Sequence, residues 1–135
     1  MRQLLADTSF LVALVDASDV HHAEAVAFLR QLREAVVILT DYVFDETMTF
    51  LKRRLGSEVA LRAGRQLRES LVFQRLHLTE EDEESTWKIF QRYADKAWSY
   101  TDCASLAVMQ RLGIREILAF DRHFEQMPGI IRLPA

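Results

Sequence analysis

Asp7, Glu46, Asp102 and Asp121 are the residues whose types and placement point to chemistry. Asp7 directly follows the apolar run Gln3-Leu4-Leu5-Ala6, and Asp121 follows the run Glu116–Phe120. Asp102 closes the cap-like tetrad Ser99-Tyr100-Thr101-Asp102, in the first turn of an expected helix. Glu46 falls in the second turn of the helix expected after Val36-Val37-Ile38-Leu39. Carboxylates that converge repel one another unless a cation or protons compensate. Oxygen-only ligands favour hard divalent ions, hence Mg²⁺ or Mn²⁺ over Zn²⁺. Such ions generate a hydroxide nucleophile and neutralise an in-line phosphoryl displacement. Each acid alone also has a plain explanation: Asp7 and Asp121 as helix caps, Asp102 completing a capping box with Ser99, Glu46 as a solvated helical charge. Their shared position favours metal-dependent phosphate chemistry.

The elements that would position these acids alternate along the chain. Strands are expected at Gln3–Ala6, Val36–Leu39, Val72–Leu78, Glu116–Phe120 and Ile130–Leu133. The first is continuously apolar, as a parallel strand covered on both faces is. Helices are expected at Ser9–Val15, at Val20–Glu34 behind Ser18 and Asp19 as caps, and at Asp41–Leu55 behind Thr40. A further helix is expected behind Ser57, with Ala60, Ala63, Gly64, Leu67 and Leu71 on its inner face. Thr79-Glu80-Glu81-Asp82 opens another, with Trp87, Phe90 and Ala94 at helical spacing, and Ser99 caps a last one that ends near Gly113. This alternation implies an α/β fold with a mostly parallel sheet. Ligands of such sheets collect outside the carboxyl ends of the strands.

Composition sets the bounds. The chain has 135 residues, 50% hydrophobic and 27% charged, a length that predicts one domain, residues 1–135, with its own core. Net charge is −3, so nucleic acid would be held by a local basic patch rather than by overall charge. The single Cys103 excludes a disulfide framework and a multi-cysteine zinc site, and fits a reducing, cytoplasmic compartment. Neither a transmembrane helix nor a signal peptide is expected.

Asp7-Thr8-Ser9, Asp45-Glu46-Thr47, Ser99-Tyr100-Thr101-Asp102 and Phe120-Asp121-Arg122-His123-Phe124, in that order, resemble the acidic motifs of the PIN domain. The last two, with Cys103–Met109 between them, are the more specific. The size of the chain and its early first motif resemble the VapC toxins of type II toxin–antitoxin pairs. The resemblance implies a PIN-like three-layer α/β domain with helices on both faces of the sheet. It implies a Mg²⁺- or Mn²⁺-dependent ribonuclease acting on RNA phosphodiester bonds. Asp7, Glu46, Asp102 and Asp121 carry over as the catalytic quartet, with Asp7 and Asp102 as direct metal ligands. Glu46 would orient the metal or its water, and Asp121 would complete the site. Thr8 and Ser9 would support Asp7, and Ser99 would cap the helix that positions Asp102. A homodimer and a small VapB-like antitoxin are implied as partners.

Other features are weighed beside these. Lys52, Arg53 and Arg54 are possible RNA contacts, or an ordinary solvated face, and Arg62, Arg65 and Arg68 follow them. His21 and His22 lie at a helix start with no paired acid nearby in sequence; His123 follows Asp121 closely and could touch substrate, but a structural or surface role is expected for it. Trp87, Phe90 and Tyr93 are expected in the core or a dimer surface. The competing functions are a small metal-dependent phosphatase and a non-catalytic binding or regulatory α/β module. The first lacks an acid two positions after Asp7, where Ser9 stands, and the second lacks an acidic pair at the first strand.

Overall fold

The computed structural model describes all residues, Met1–Ala135. Five strands form one wholly parallel sheet: β1 (Arg2–Ala6), β2 (Ala35–Thr40), β3 (Phe73–Leu76), β4 (Glu116–Leu118) and β5 (Ile131–Leu133), in the order β3-β2-β1-β4-β5. The helices are α1 (Thr8–Val15), α2 (His22–Gln31), α3 (Asp41–Leu55), α4 (Ser57–Glu69), α5 (Glu80–Arg92) and α6 (Tyr100–Leu112), followed by a short 3-10 helix, Arg122–Gln126.

Alternation along the strands divides the core. Leu4, Ala6, Val37, Leu39 and Leu118 pack with residues of α1 to α4. Leu5, Ile38 and Ile117 point the other way, into a layer with Ile89 of α5 and Leu106, Ala107 and Met109 of α6. This is the period-2 geometry of a strand buried on both faces, which yields three layers. Chain direction reverses its march across the sheet between β1 and β4, so the crevice at their carboxyl ends is the switch point where such folds bind ligands.

Several boundaries differ from expectation. The helix expected at Val20–Glu34 is the shorter α2. Ser18 donates its N–H and hydroxyl to Asp16 Oδ1 at 2.9 and 2.6 Å, and Asp19 Oδ1 accepts the His21 N–H. Neither caps α2. Ser57 caps nothing: Gly56, at φ 93°, ends α3 and begins α4 in one residue. β4 stops at Leu118 because the next backbone donors leave β1: Ala119 N–H bonds Leu133 O, and Phe120 N–H bonds Ser9 Oγ. The edge strand β3 is shorter than Val72–Leu78, reaching only as far as β2 supplies partners. On α5 the inward stripe is Asp82, Thr86 and Ile89, so Trp87 and Phe90 face outward rather than into the core. Leu71 lies beyond α4 and is exposed.

No helix of the structure is long and apolar enough to cross a membrane.

Candidate active site

Asp7 leaves β1 as the N-cap of α1, with its side chain accepting the Ser9 N–H. Its own backbone N–H donates to Leu118 O at 2.9 Å, which fixes it beside the end of β4. Ser9 is the hinge of this corner. Its hydroxyl donates to Asp7 Oδ2 at 2.6 Å and accepts the Phe120 N–H at 3.0 Å. One hydroxyl thus ties the β1 acid to the loop that carries Asp121.

Asp102 is held from a different direction. Ser99 is the N-cap of α6: its Oγ accepts the Asp102 N–H at 3.0 Å, and Asp102 Oδ2 accepts the Ser99 N–H at 2.9 Å. The plain reading of Asp102 as a capping-box residue is therefore realised, and only one of its oxygens is spent on it. Asp121 caps the short 3-10 helix through the His123 N–H at 2.9 Å. Glu46 stands on the second turn of α3, exposed.

All four acids line one cleft of about 470 Å³, together with Thr8, Ser9 and Ser99. The carboxylates form no closed cage: no three His, Cys, Asp or Glu side chains stand close enough to grip an ion as a ready cluster. Their charges nonetheless act on one another. Burial pushes the Asp7 carboxyl up to about 6, with Asp102 and Glu46 adding to the rise and the Ser9 hydrogen bonds opposing it. Burial also raises Asp102, and Asp121 adds to it, against the pull of Ser99 and His123. An all-oxygen donor set that resists ionising is one that positive charge relieves, and the set fits a hard divalent cation.

The remaining expected residues divide. The Thr8 hydroxyl accepts from Thr47 Oγ1 at 3.4 Å, so Thr8 joins α1 to α3 rather than bonding Asp7. Arg54 Nε donates to the buried Asp16 at 2.8 Å while its side chain stays half-exposed; Lys52 and Arg53 are exposed. His123 is half-buried in the cleft, with Nδ1 3.2 Å from Asp121 Oδ1 and 3.5 Å from Asp102 Oδ2. Asp19 accepts the His21 backbone N–H rather than pairing with its imidazole, and both residues line the cleft with Phe50 and Phe120. The only sequence sign of this was the two-residue spacing of Asp19 and His21. Cys103, beside Asp102, is buried and its thiol is pushed up to about 11, so it is no nucleophile.

Ser9→Ala should expose how far this corner depends on one hydroxyl. It leaves the Phe120 N–H without its acceptor and strips a donor from Asp7. We expect a loss of about 1–3 kcal/mol in chemical denaturation, with the Asp7 pKa rising further. An unchanged denaturation midpoint would mean that water replaces the hydroxyl in full.

Residues 4–130 match the family model described as the PIN domain. The chain is 36% identical over 121 residues to the 23S rRNA-specific endonuclease VapC20 of Mycobacterium tuberculosis, spanning 90% of this chain and 91% of the relative. It is 29% identical over 133 residues to a VapC ribonuclease of Archaeoglobus fulgidus, spanning 95% and 82%. The crystal structure of VapC20, described as a sarcin-ricin loop cleaving toxin, superposes with a TM-score of 0.85 at 34% identity, covering 91% of this chain and 93% of that one. VapBC2 of Rickettsia felis, solved with a promoter DNA fragment, shares the fold at TM-score 0.72 and 8% identity, with 96% of each chain covered.

Proposed function

This chain belongs to the PIN-domain family, and from that premise we propose that it is a Mg²⁺- or Mn²⁺-dependent endoribonuclease, the VapC-type toxin of a toxin–antitoxin pair. The observation that carries the reading is the cleft at the β1/β4 switch point, lined by four carboxylates from four segments, in which burial, with Asp102 and Glu46 adding to it, raises the Asp7 carboxyl to about 6. Family membership also removes the grounds for a metabolite phosphatase or a receiver-like module.

In this reading Asp7 and Asp102 would hold the ion, and each keeps one carboxylate oxygen outside its cap. Glu46, exposed on α3, orients the ion or the attacking water, and Asp121 completes the negative wall. The bound ion supplies Lewis-acid stabilisation of the charge that builds on the scissile phosphate and makes water acidic enough to attack near neutral pH. Ser9 and Ser99 keep their carboxylates from turning away. Lys52, Arg53 and Arg54 are candidates for phosphate contacts, Arg54 through the half-exposed guanidinium donors that its single bond to Asp16 leaves free.

The relative's substrate makes 23S ribosomal RNA the first RNA to test. Ribosomal RNA is incubated with wild type and with Asp102→Asn, in Mg²⁺, in Mn²⁺ and in EDTA. Discrete cleavage in either metal, none in EDTA and none by the variant is expected. Cleavage that survives both EDTA and the substitution would overturn the metal-dependent reading.

A VapB-like antitoxin belongs to the same proposal. A cleft walled by Asp7, Glu46, Asp102 and Asp121 attracts a cation, and an inhibitory segment can supply one as Arg or Lys next to apolar anchors. Replacing that basic residue with Ala should release ribonuclease activity from the complex. Undiminished inhibition would rule out electrostatic mimicry. A symmetric homodimer and a cytoplasmic site of action complete the reading. Exposed Leu61, Trp87 and Phe90 offer apolar area for self-association. Light scattering that returned only a 15.7 kDa species at micromolar concentration would remove the dimer.

A further inference from the structure

Phe10, Phe120 and His21 come from three separate segments, and Phe120 stacks in near-parallel fashion with each of the other two. The Phe10 and Phe120 centroids are 5.9 Å apart with planes 10° apart, and those of Phe120 and His21 are 4.3 Å apart with planes 3° apart. Phe10 is fully buried, Phe120 half-buried and His21 exposed, so the three rings run from the core out to solvent. Their outer end lies in the acidic cleft, which Phe120 and His21 both line.

The backbone that carries the His21 ring is held in place by its surroundings. Asp19 Oδ1 accepts the His21 N–H at 2.8 Å, and the next residue is anchored where His22 Nδ1 meets Ala13 O at 2.7 Å. The turn before it is pinned by Ser18 on Asp16 and by Arg54 on the same carboxylate. His21 caps no helix with its side chain. Its ring lies flat on Phe120, and the residue remains exposed to solvent. Unpaired bases splayed from RNA stack on such rings, His included. A base carries the largest π-face of any group within one nucleotide of a scissile phosphate, and this cleft sets His21 and Phe120 among five acids, with Phe50 as a further aromatic side chain on its wall.

We infer that the outer face of His21 is a nucleobase-stacking platform, on which a base flanking the scissile phosphate lies as the next ring beyond Phe120 and His21. The inference rests on the ribonuclease reading and adds to it a residue that selects how RNA enters. His21 here is a positioning residue, since it places the substrate without touching the reacting atoms. Stacking of this kind tolerates sequence and favours purines for their area.

The test measures binding and turnover separately on the full chain. Wild type, His21→Ala, His21→Leu and His21→Phe are titrated with fluorescent single-stranded oligoadenylate, oligouridylate and oligoadenylate carrying one abasic ribose. Steady-state cleavage of ribosomal RNA and thermal unfolding are measured on each protein. Wild type should bind oligoadenylate more tightly than oligouridylate. Alanine and leucine should weaken oligoadenylate binding roughly 5- to 150-fold, erase the purine preference and raise KM with little change in kcat. Phenylalanine should restore wild-type values, and the abasic probe should bind wild type and His21→Ala alike. The leucine variant keeps Phe120 covered, so a fold defect limited to alanine would show in the melting curves. Wild-type behaviour in both alanine and leucine variants would overturn the platform while leaving the ribonuclease reading intact. Loss in phenylalanine as well would also overturn it, because the imidazole nitrogens would then be what matters. A wild-type protein that neither binds nor cleaves RNA would overturn both.

Discussion

Asp7→Asn is expected to lower RNA cleavage at least about a hundredfold, since even groups that only orient a metal ligand cost 10–100-fold when lost, and yet to stabilise the metal-free protein. The two effects share one cause. Burial, with Asp102 and Glu46 nearby, raises the folded carboxyl from 3.8 to about 6. Between those values the unfolded chain is ionised while the folded one still holds the proton. Folding stability therefore declines as pH rises from about 4 to about 6, and stays reduced above that. The shift corresponds to about 3 kcal/mol at most near neutral pH. Asn keeps an oxygen to accept the Ser9 N–H and hydroxyl, so the cap survives. The variant should lack the slope and gain about 1–3 kcal/mol over wild type in EDTA at pH 7. Added Mg²⁺ should then stabilise wild type more than the variant. Unfolding curves across pH, in EDTA and in Mg²⁺, beside the cleavage assay, decide it. A variant that is less stable in EDTA at pH 7 and still cleaves would return Asp7 to the status of a helix cap.

Asp7 and Asp102 were legible in the sequence because each sits where a local rule already fixes it. β1 is central, so Leu4, Leu5 and Ala6 are buried on both faces and read as one apolar run whose end marks Asp7. Ser99 and Asp102 form a reciprocal capping box that a four-residue pattern announces. Chain order then places the ends of β1 and β4 together, because the switch point is a property of the alternation and not of any one residue.

What escaped sequence reasoning depends on contacts between distant segments. Lys52-Arg53-Arg54 reads as one basic patch, but neighbours on a helix point in different directions, and the buried Asp16 claims Arg54 alone. The same Asp16 collects Ser18, so the chain turns where helical periodicity would have run on. That turn delays α2 to His22 and leaves His21 over Phe120. Ser9 was expected to support Asp7, and it does. That its oxygen also receives Phe120 N–H, a hundred and eleven residues away, has no local signature.

Arg111→Met should be the most destabilising of the substitutions considered, and should spare the chemistry. Arg111 Nε and Nη2 grip both oxygens of Asp82 at 2.6 and 2.9 Å, joining α6 to the first turn of α5. Asp82 is almost wholly buried, while Arg111 remains a third exposed. Methionine keeps the packing of the arginine stem but leaves a carboxylate in the core with only the Thr79 N–H as donor. Uncompensated buried charges of this kind cost about 3–5 kcal/mol, and the exposure of Arg111 places the expectation at the lower end, about 3 kcal/mol. The pair also fixes the pH dependence. Arg111, then the Thr79 contacts, hold the folded Asp82 carboxyl below its ordinary value against the opposing effect of burial. Its stabilisation is therefore fully present above the unfolded pKa near 4 and is lost as pH falls through the lower folded value. The gap between wild type and variant should be widest at neutral pH and close in acid. Arg111 lies nine residues after Asp102, about 13 Å along the helix axis, so the capping box at the other end of α6 is untouched. At temperatures where the variant is folded, kcat on RNA should match wild type. A variant whose stability deficit persists unchanged in acid, or whose kcat falls with the fold intact, would show that Arg111 acts through something other than its pair with Asp82.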